Sequence, residues 1–304
     1  MLELIRRYAW SDEKRSLLYK YFDLKPNHIV VDVGCGTGAF SRVLAQRLDA
    51  KKGGRLVGID RNGELLDAAR KFAKIAHQEK IISFKKGNVV KAIPLPNDYA
   101  DRVVCQAFLW LTTNEEKEKA IKEMIRVCKP GGLIGAVEGG VDTSVIFIEN
   151  NERLNKLYSK QKSAMIKGYK IIHEYDRTIG YKLPIVFKKL GLERVRLDGI
   201  AHTYLWSDDR IPLDYRREQI LDSIRYPADF LSKLEKLGTK LQKQRFVEKM
   251  EPSLLAGGMT YKEIIEYNHQ RKLYYNNFLN DPNILKKDMS VDAGISFITT
   301  AIKP

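Results

Sequence analysis

The chain has 304 residues, 44% of them hydrophobic, enough to bury the core of one large globular domain or of a domain with a substantial insertion. Its three cysteines, Cys35, Cys105 and Cys128, stand far apart with no CxxC pair, which argues against a disulfide framework or a structural zinc site and suits a reducing compartment. The formal net charge of +15 is spread out, with 25 basic against 17 acidic residues up to position 138 and 28 against 21 beyond it, so it marks no dedicated nucleic-acid segment.

The opening MLELIRRYAW has no apolar stretch of signal-peptide length, and no later run approaches the roughly 18 apolar residues of a membrane span; a soluble, cytoplasmic protein is expected. A helix is predicted around 11–21, and strands then alternate with helices in the rhythm of βαβ units, which implies a parallel sheet covered on both faces. The first strand, 28–33, runs through Ile29, Val30, Val31 and Val33 into three glycines spaced two apart, with a helix at 39–48 behind them. The second strand, 55–60, ends at Asp60, and Asn62 stands where a helix N-cap belongs, ahead of a helical pattern through 76. Strand three, 81–85, closes in Gly87-Asn88, and strand four is 101–106. A helix at 115–128 is predicted to stop at Lys129-Pro130-Gly131-Gly132 before strand five, which ends near Glu138.

Beyond Glu138 the rhythm breaks. A polar, aromatic-rich helical stretch intervenes, then a helix at 176–190 ending at Gly191, a sixth strand at 192–204, a second, mostly amphipathic helical insertion at 207–288 and a closing strand at 294–304. The densest basic run, Lys233 to Lys249, reads as the solvated side of an amphipathic helix.

A glycine-rich turn between strand and helix lets backbone approach a ligand and aims the N–H groups of the helix start at it. Gly34-Cys35-Gly36-Thr37-Gly38-Ala39 also fits the dinucleotide pattern G-x-G-x-x-G/A, with Asp60 about 20 residues on, so the glycines by themselves do not choose between cofactors. The neighbours do. VDVGCGTG, then GID with its terminal acid, then a Gly-Asn pair after strand three, then RVCKPGGLIGAVEG together resemble class I S-adenosylmethionine-dependent methyltransferases. Within that group the chain is similar to the small-molecule branch related to ubiquinone and menaquinone biosynthesis enzymes, in forms with helical insertions after strands five and six.

The resemblance implies an α/β, doubly wound, seven-stranded and mostly parallel sheet with S-adenosyl-L-methionine across the carboxyl ends of strands one and two. The core would comprise 1–138, 176–204 and 289–304, with 139–175 and 205–288 as helical insertions forming a substrate lid. It also implies a cofactor site. The amino-acid end of the cofactor would lie against Gly34, Cys35, Gly36 and Gly38, with Asp32 shaping that turn; Asp60 would accept from both ribose hydroxyls, a charge-assisted pairing. Arg61 would flank the adenine, Asn88 and Val89 would meet its edge in place of the acid usual at that position, and Gln106 and Ala107 would line the methyl-bearing sulfur. Cys35 reads as a small filler of the turn and not as a nucleophile.

Methyl transfer needs a nucleophile held in line in a site shielded from water, and a base only where the acceptor must lose a proton. Phe108 and Trp110 are placed to wall the cationic sulfur or to pack in the core. Candidate bases are Glu138, His202, His173 and Glu174; no histidine pair has metal-ligand spacing, and no metal is expected. Of the 15 tyrosines 11 follow residue 150, among them Tyr158, Tyr169, Tyr175, Tyr181, Tyr204, Tyr261, Tyr267, Tyr274 and Tyr275, with Trp206 beside them, and they suit both helix packing and a pocket for a small, partly hydrophobic acceptor. The expected activity is methyl transfer from S-adenosyl-L-methionine to such a molecule. The rivals are a methyltransferase acting on RNA or protein, an NAD-dependent dehydrogenase, and a cofactor-binding regulator that does not turn over.

Overall fold

The computed structural model describes residues 10–281 and 283–304; the first nine residues, whose lack of a signal-like stretch was noted above, lie outside the described residues. The described chain divides into two compact units, an α/β unit of residues 10–140, 178–200 and 295–304 and a helical unit of residues 141–177 and 201–294.

In the α/β unit, helix α1 (Asp12–Tyr21) starts where the Ser11 side chain accepts from the Lys14 N–H. There follow β1 (Ile29–Val33), α2 (Ala39–Ala45), β2 (Arg55–Asp60), α3 (Gly63–Ile75), β3 (Ile82–Lys86), β4 (Ala100–Gln106), α4 (Asn114–Val127) and β5 (Cys128–Gly139). The Asn62 side chain caps α3 as its sequence position predicts, and Thr113 and Glu116 form a reciprocal capping box at α4. β1 pairs in parallel with β2 and β4, β2 with β3 and β4 with β5. Such strands are buried on both faces and read as near-continuous apolar runs. Alternate residues divide accordingly: Val31, Val33, Val57, Ile59 and Val103 join one apolar cluster with Ile121 and Met124 of α4, while Val30, Leu56 and Val104 join another with Phe40 of α2 and Leu66 and Ala69 of α3.

Helix α6 (Leu183–Lys189), strand β7 (Glu193–Leu205) and strand β8 (Val291–Ile302) complete the sheet, whose order is β3-β2-β1-β4-β5-β8 with β7 also paired to β8. β8 runs antiparallel to β5 from Leu133↔Ile302 to Gly139↔Ser296. The expected mostly parallel, doubly wound sheet of seven long strands is present, and an eighth, the three-residue β6 (Val145–Phe147), pairs antiparallel with the start of β8. β6 was not foreseen because three residues carry no period. The helical unit contributes α5 (Glu152–His173), α7 (Leu213–Glu235), α8 (Lys240–Met250), α9 (Pro252–Ala256) and α10 (Tyr261–Asn280) around its own aromatic core. Among the described residues no helix is long and apolar enough to cross a membrane.

Three expectations are corrected. Lys129-Pro130-Gly131-Gly132 is no separate turn but the irregular start of β5, where the register with β4 shifts between Ala100 and Arg102 and the Gly131 N–H donates to the Lys303 carbonyl at 2.9 Å. The helix expected at 176–190 shrinks to Leu183–Lys189, preceded by a single tight turn at Gly180–Lys182, because a Cβ on Gly180 would lie 2.7 Å from the Glu138 carbonyl oxygen and Pro184 suits only a first helical turn. The basic run from Lys233 to Lys249 is two helices: Thr239 ends the connection with a capping box to Gln242 and starts α8 afresh.

Candidate functional site at the carboxyl ends of the parallel strands

β1 delivers the chain into the turn Gly34–Gly38, where Gly34, Gly36 and Gly38 hold φ of +71°, +53° and +70°. Two of these glycines serve opposite ends. A Cβ on Gly34 would sit 2.6 Å from the Phe108 ring, so this glycine is fixed by packing, whereas a Cβ on Gly36 would meet nothing within 4 Å, and backbone there is bare toward open space. The N–H groups of Gly34 and Cys35 both donate to the Ile59 carbonyl, at 2.8 and 3.0 Å, and the Gly36 N–H donates to Asp60 Oδ2 at 2.8 Å. The end of β2 thus holds these three N–H groups, which stand ahead of the helix start at Ala39. Asp32, 1% exposed, accepts from the Ser41 hydroxyl of α2 at 2.5 Å and so fixes the far side of the turn.

Asp60 is the joint of this end of the sheet. Its Oδ1 accepts from the Asn62 N–H at 2.9 Å while its main-chain carbonyl accepts from the Gly87 N–H at 2.9 Å, which draws the end of β3 alongside. Each carboxylate oxygen keeps a further acceptor site. Arg61 beside it is exposed. Asn88 is half-buried, and its Oδ1 accepts from the Val90 N–H at 3.1 Å, so the amide shapes a turn, while Val89 is buried beneath. Gln106 ends β4, and Ala107, at φ +50°, donates its N–H to the Val137 carbonyl at 3.0 Å. Adjacent strands in the order β3-β2-β1-β4 thus bring Asn88, Asp60, the glycine turn and Gln106 to one end of the sheet. Cys35 is buried and free; burial and the nearby Asp32 and Asp60 carboxylates push its thiol well above the usual range, which keeps it neutral and fits a filler.

Glu138, near the end of β5, is enclosed. It is 0% exposed, and its Oε1 accepts from the peptide N–H groups of Phe108 and Leu109 at 2.9 and 2.7 Å. Its Oε2 is buried with no partner. Burial raises its pKa to about 7, against the pull of the Leu109, Phe108 and Trp110 N–H groups and the buried Lys117 ammonium. The carboxylate holds the segment after β4, and that segment holds Phe108 against Gly34. Spacing along the chain carries no sign of this, because residues 108 and 138 meet only through the pairing of β4 with β5.

The other three candidate bases belong to the helical unit. His173 is exposed at the end of α5, stacked on Tyr175 and tilted against Tyr169, each at 5.3 Å. Arg177 lies 4.6 Å over the Tyr169 ring, and burial lowers its pKa to about 10. His202 is half-buried on β7, and Glu174, exposed, terminates α5 in a left-handed conformation at φ +58°. Among the tyrosines, Tyr158, Tyr267, Tyr274 and Tyr275 are buried in the aromatic core with Trp206, and Tyr204 and Tyr261 pack against it. Tyr181 instead packs on Phe297, ring centroids 5.5 Å apart, within the α/β unit. Helix packing accounts for most of these rings.

The family described as "Methyltransferase domain" matches residues 30–132, from the glycine turn through the beginning of β5. Curated relatives include demethylmenaquinone methyltransferases of Bacillus cereus and Bacillus anthracis, each 28% identical over 210 residues, or 66% of this chain and 84% of the relative. Residues 30–132 thus carry a methyltransferase domain, and the chain is an S-adenosylmethionine-dependent methyltransferase. Solved structures agree on the fold alone: a methyltransferase from Bacillus halodurans superposes with a TM-score of 0.51 at 16% identity, covering 96% of this chain and 99% of that one. A [4+2]-cyclase, SpnF, superposes with a TM-score of 0.52 at 18% identity over 96% of this chain and 80% of its own. One architecture thus carries more than one reaction. In this methyltransferase the glycine turn and Asp60 lie inside the matched segment, and Glu138 lies just beyond it.

Proposed function

We propose that this methyltransferase acts on a small, partly hydrophobic, oxygenated aromatic acceptor, with S-adenosylmethionine held by the turn Gly34–Gly38, Asp60 and the segments at Asn88 and Gln106. The observation that carries the cofactor placement is the contact of Asp60 Oδ2 with the Gly36 N–H at 2.8 Å, beside a glycine whose Cβ position is open. An anchored carboxylate next to bare backbone suits a nucleoside carrying a ribose diol and an amino-acid tail. Asp60 would accept from the diol through the acceptor sites left on its two oxygens, and Arg61 would flank the base. The bound cofactor supplies a methyl group on a cationic sulfur.

The chain's own residues orient and exclude water. Glu138, through the Phe108 and Leu109 N–H groups, holds the segment that would line the sulfur, with the Phe108 and Trp110 rings as its apolar wall. His202 is retained as the residue to take a proton where the acceptor is a hydroxyl; His173 is assigned to packing with Tyr169 and Tyr175. The acceptor class is supported by the demethylmenaquinone methyltransferases among the relatives and by the aromatic composition of the helical unit, which we assign to acceptor binding in a lid-like role. Three free, buried cysteines accord with a cytoplasmic setting. S-adenosylhomocysteine is expected to raise the melting temperature of the protein and NADH to leave it unchanged, since only a ligand of the native state stabilises it. The reverse result would remove this reading.

A further inference from the structure

Among the buried donors of the helical unit that have no partner are the Tyr204 hydroxyl, Arg216 Nε and Gln219 Nε2. Tyr204 and Arg216 share one cluster. The Tyr204 ring lies 5.0 Å from Trp206 and 6.0 Å from Tyr215, and Arg216 Nη1 donates to the Trp206 carbonyl at 3.0 Å. Gln219 stands three residues beyond Arg216 and four beyond Tyr215 on α7, hence on the same helical face. Arg216 is 7% exposed, Tyr215 6% and Trp206 5%, while Tyr204 and Gln219 are half-buried with their donor atoms enclosed. The carboxylate of Asp208 near Arg216 is engaged elsewhere, with Arg210 Nε on Oδ1 at 2.9 Å and Arg210 Nη2 on Oδ2 at 2.7 Å, and the Asp292 carboxylate near Tyr204 makes no hydrogen bond to its hydroxyl. By contrast the Tyr158 and Tyr275 hydroxyls of the same core satisfy each other at 3.2 Å.

Folded proteins leave few buried polar atoms unpaired, and those that remain call for a partner. Here all three are donors, so the missing partner is rich in acceptors, and the rings around them favour a flat apolar body. We propose that Tyr204, Arg216 and Gln219 bind the ring oxygens of a quinone-type or phenolic molecule, with Trp206 and Tyr215 supplying apolar contact. This rests on, and sharpens, the oxygenated aromatic acceptor proposed above. Burial raises the Tyr204 hydroxyl pKa, which keeps it protonated and able to donate at neutral pH.

The full chain, saturated with S-adenosylhomocysteine, is titrated calorimetrically with 2,3-dimethyl-1,4-naphthoquinone, whose ring is blocked against thiols, and with naphthalene as the ring without oxygens. Tyr204→Phe and Gln219→Leu are each expected to weaken naphthoquinone binding at least fivefold and to leave naphthalene unaffected. Because each removes an unpaired donor, the ligand-free variants should melt at or above the wild-type temperature. Unchanged naphthoquinone binding in both variants overturns this site alone. A lower melting temperature in both ligand-free variants also overturns it, since the donors would then already serve an ordered water. Absence of naphthoquinone binding by the wild type overturns the acceptor class as well, whereas failure to bind S-adenosylhomocysteine would strike the cofactor reading separately.

Discussion

The sites proposed in the two units hold their polar side chains differently. At the strand ends of the α/β unit the carboxylates are tied to backbone: Asp60 to the Gly36 and Asn62 N–H groups, Glu138 to those of Phe108 and Leu109. In the helical unit Tyr204, Arg216 and Gln219 keep donor atoms that nothing in the described protein accepts. A site whose polar atoms are fixed by main chain is committed to one ligand shape before that ligand arrives. A site with spare donors leaves its last contacts to the ligand, which suits a cofactor held in common and an acceptor that varies between enzymes.

This contrast is broken or sharpened by substitution. Glu138→Ala would leave the Phe108 and Leu109 N–H groups without their acceptor, and at about 1–3 kcal/mol for each such group the α/β unit should lose about 2–6 kcal/mol in chemical denaturation. A loss no larger than that of a surface alanine would show that these contacts hold nothing. Glu138→Gln keeps an acceptor and removes the charge. Since the folded-state pKa is raised to about 7 from an ordinary 4.5, the native state binds a proton that the unfolded chain has released between those values, so stability falls as pH rises through that window. The glutamine variant should lack that decline, gaining up to about 3 kcal/mol on the wild type between pH 5 and 8, and should keep kcat within about fivefold, a factor worth about 1 kcal/mol. A kcat lower by several orders of magnitude would restore Glu138 as the base.

Asp60→Ala removes the carboxylate proposed to accept from ribose, and with it the tie to Gly36. Calorimetry with S-adenosylhomocysteine should record about 10- to 100-fold weaker binding, the range for hydrogen bonds to charged groups; affinity within twofold of wild type would remove Asp60 from the site. The smallest effect is expected of Asn88→Asp, which keeps the acceptor for the Val90 N–H and adds a charge at the position where an acid is usual, for a gain in cofactor affinity of about threefold, or about 0.6 kcal/mol. Weaker binding would mean that the amide serves the turn and not the adenine.

Much of the α/β unit was legible along the chain. Residues 55–60 are β2 as expected, Asn62 caps α3, and the apolar runs into Gly34 and Asp60 mark strands buried on both faces. These features are local, set by period, capping chemistry and the backbone freedom of glycine, so composition and spacing reveal them. Local pattern also misled where tertiary packing prevailed: Gly180, wedged against the Glu138 carbonyl, cuts short a helix that the sequence favours, and Pro130 to Gly132 enter a strand because β4 and the chain end at Lys303 hold them there.

What the sequence by itself determined is the end of the sheet proposed for the cofactor: the succession of strands along the chain, the turn with three left-handed glycines and the acid that ends β2, because each depends on residues close together in the chain. What only the tertiary structure decided is the work of Glu138, Tyr204, Arg216 and Gln219. Glu138 meets its partners 29 and 30 residues away, through strand pairing. The spare donors of the helical unit become visible only once burial has removed water and every neighbouring acceptor is accounted for. Distance along the chain says nothing of either, since burial and the satisfaction of hydrogen bonds are properties of the packed molecule.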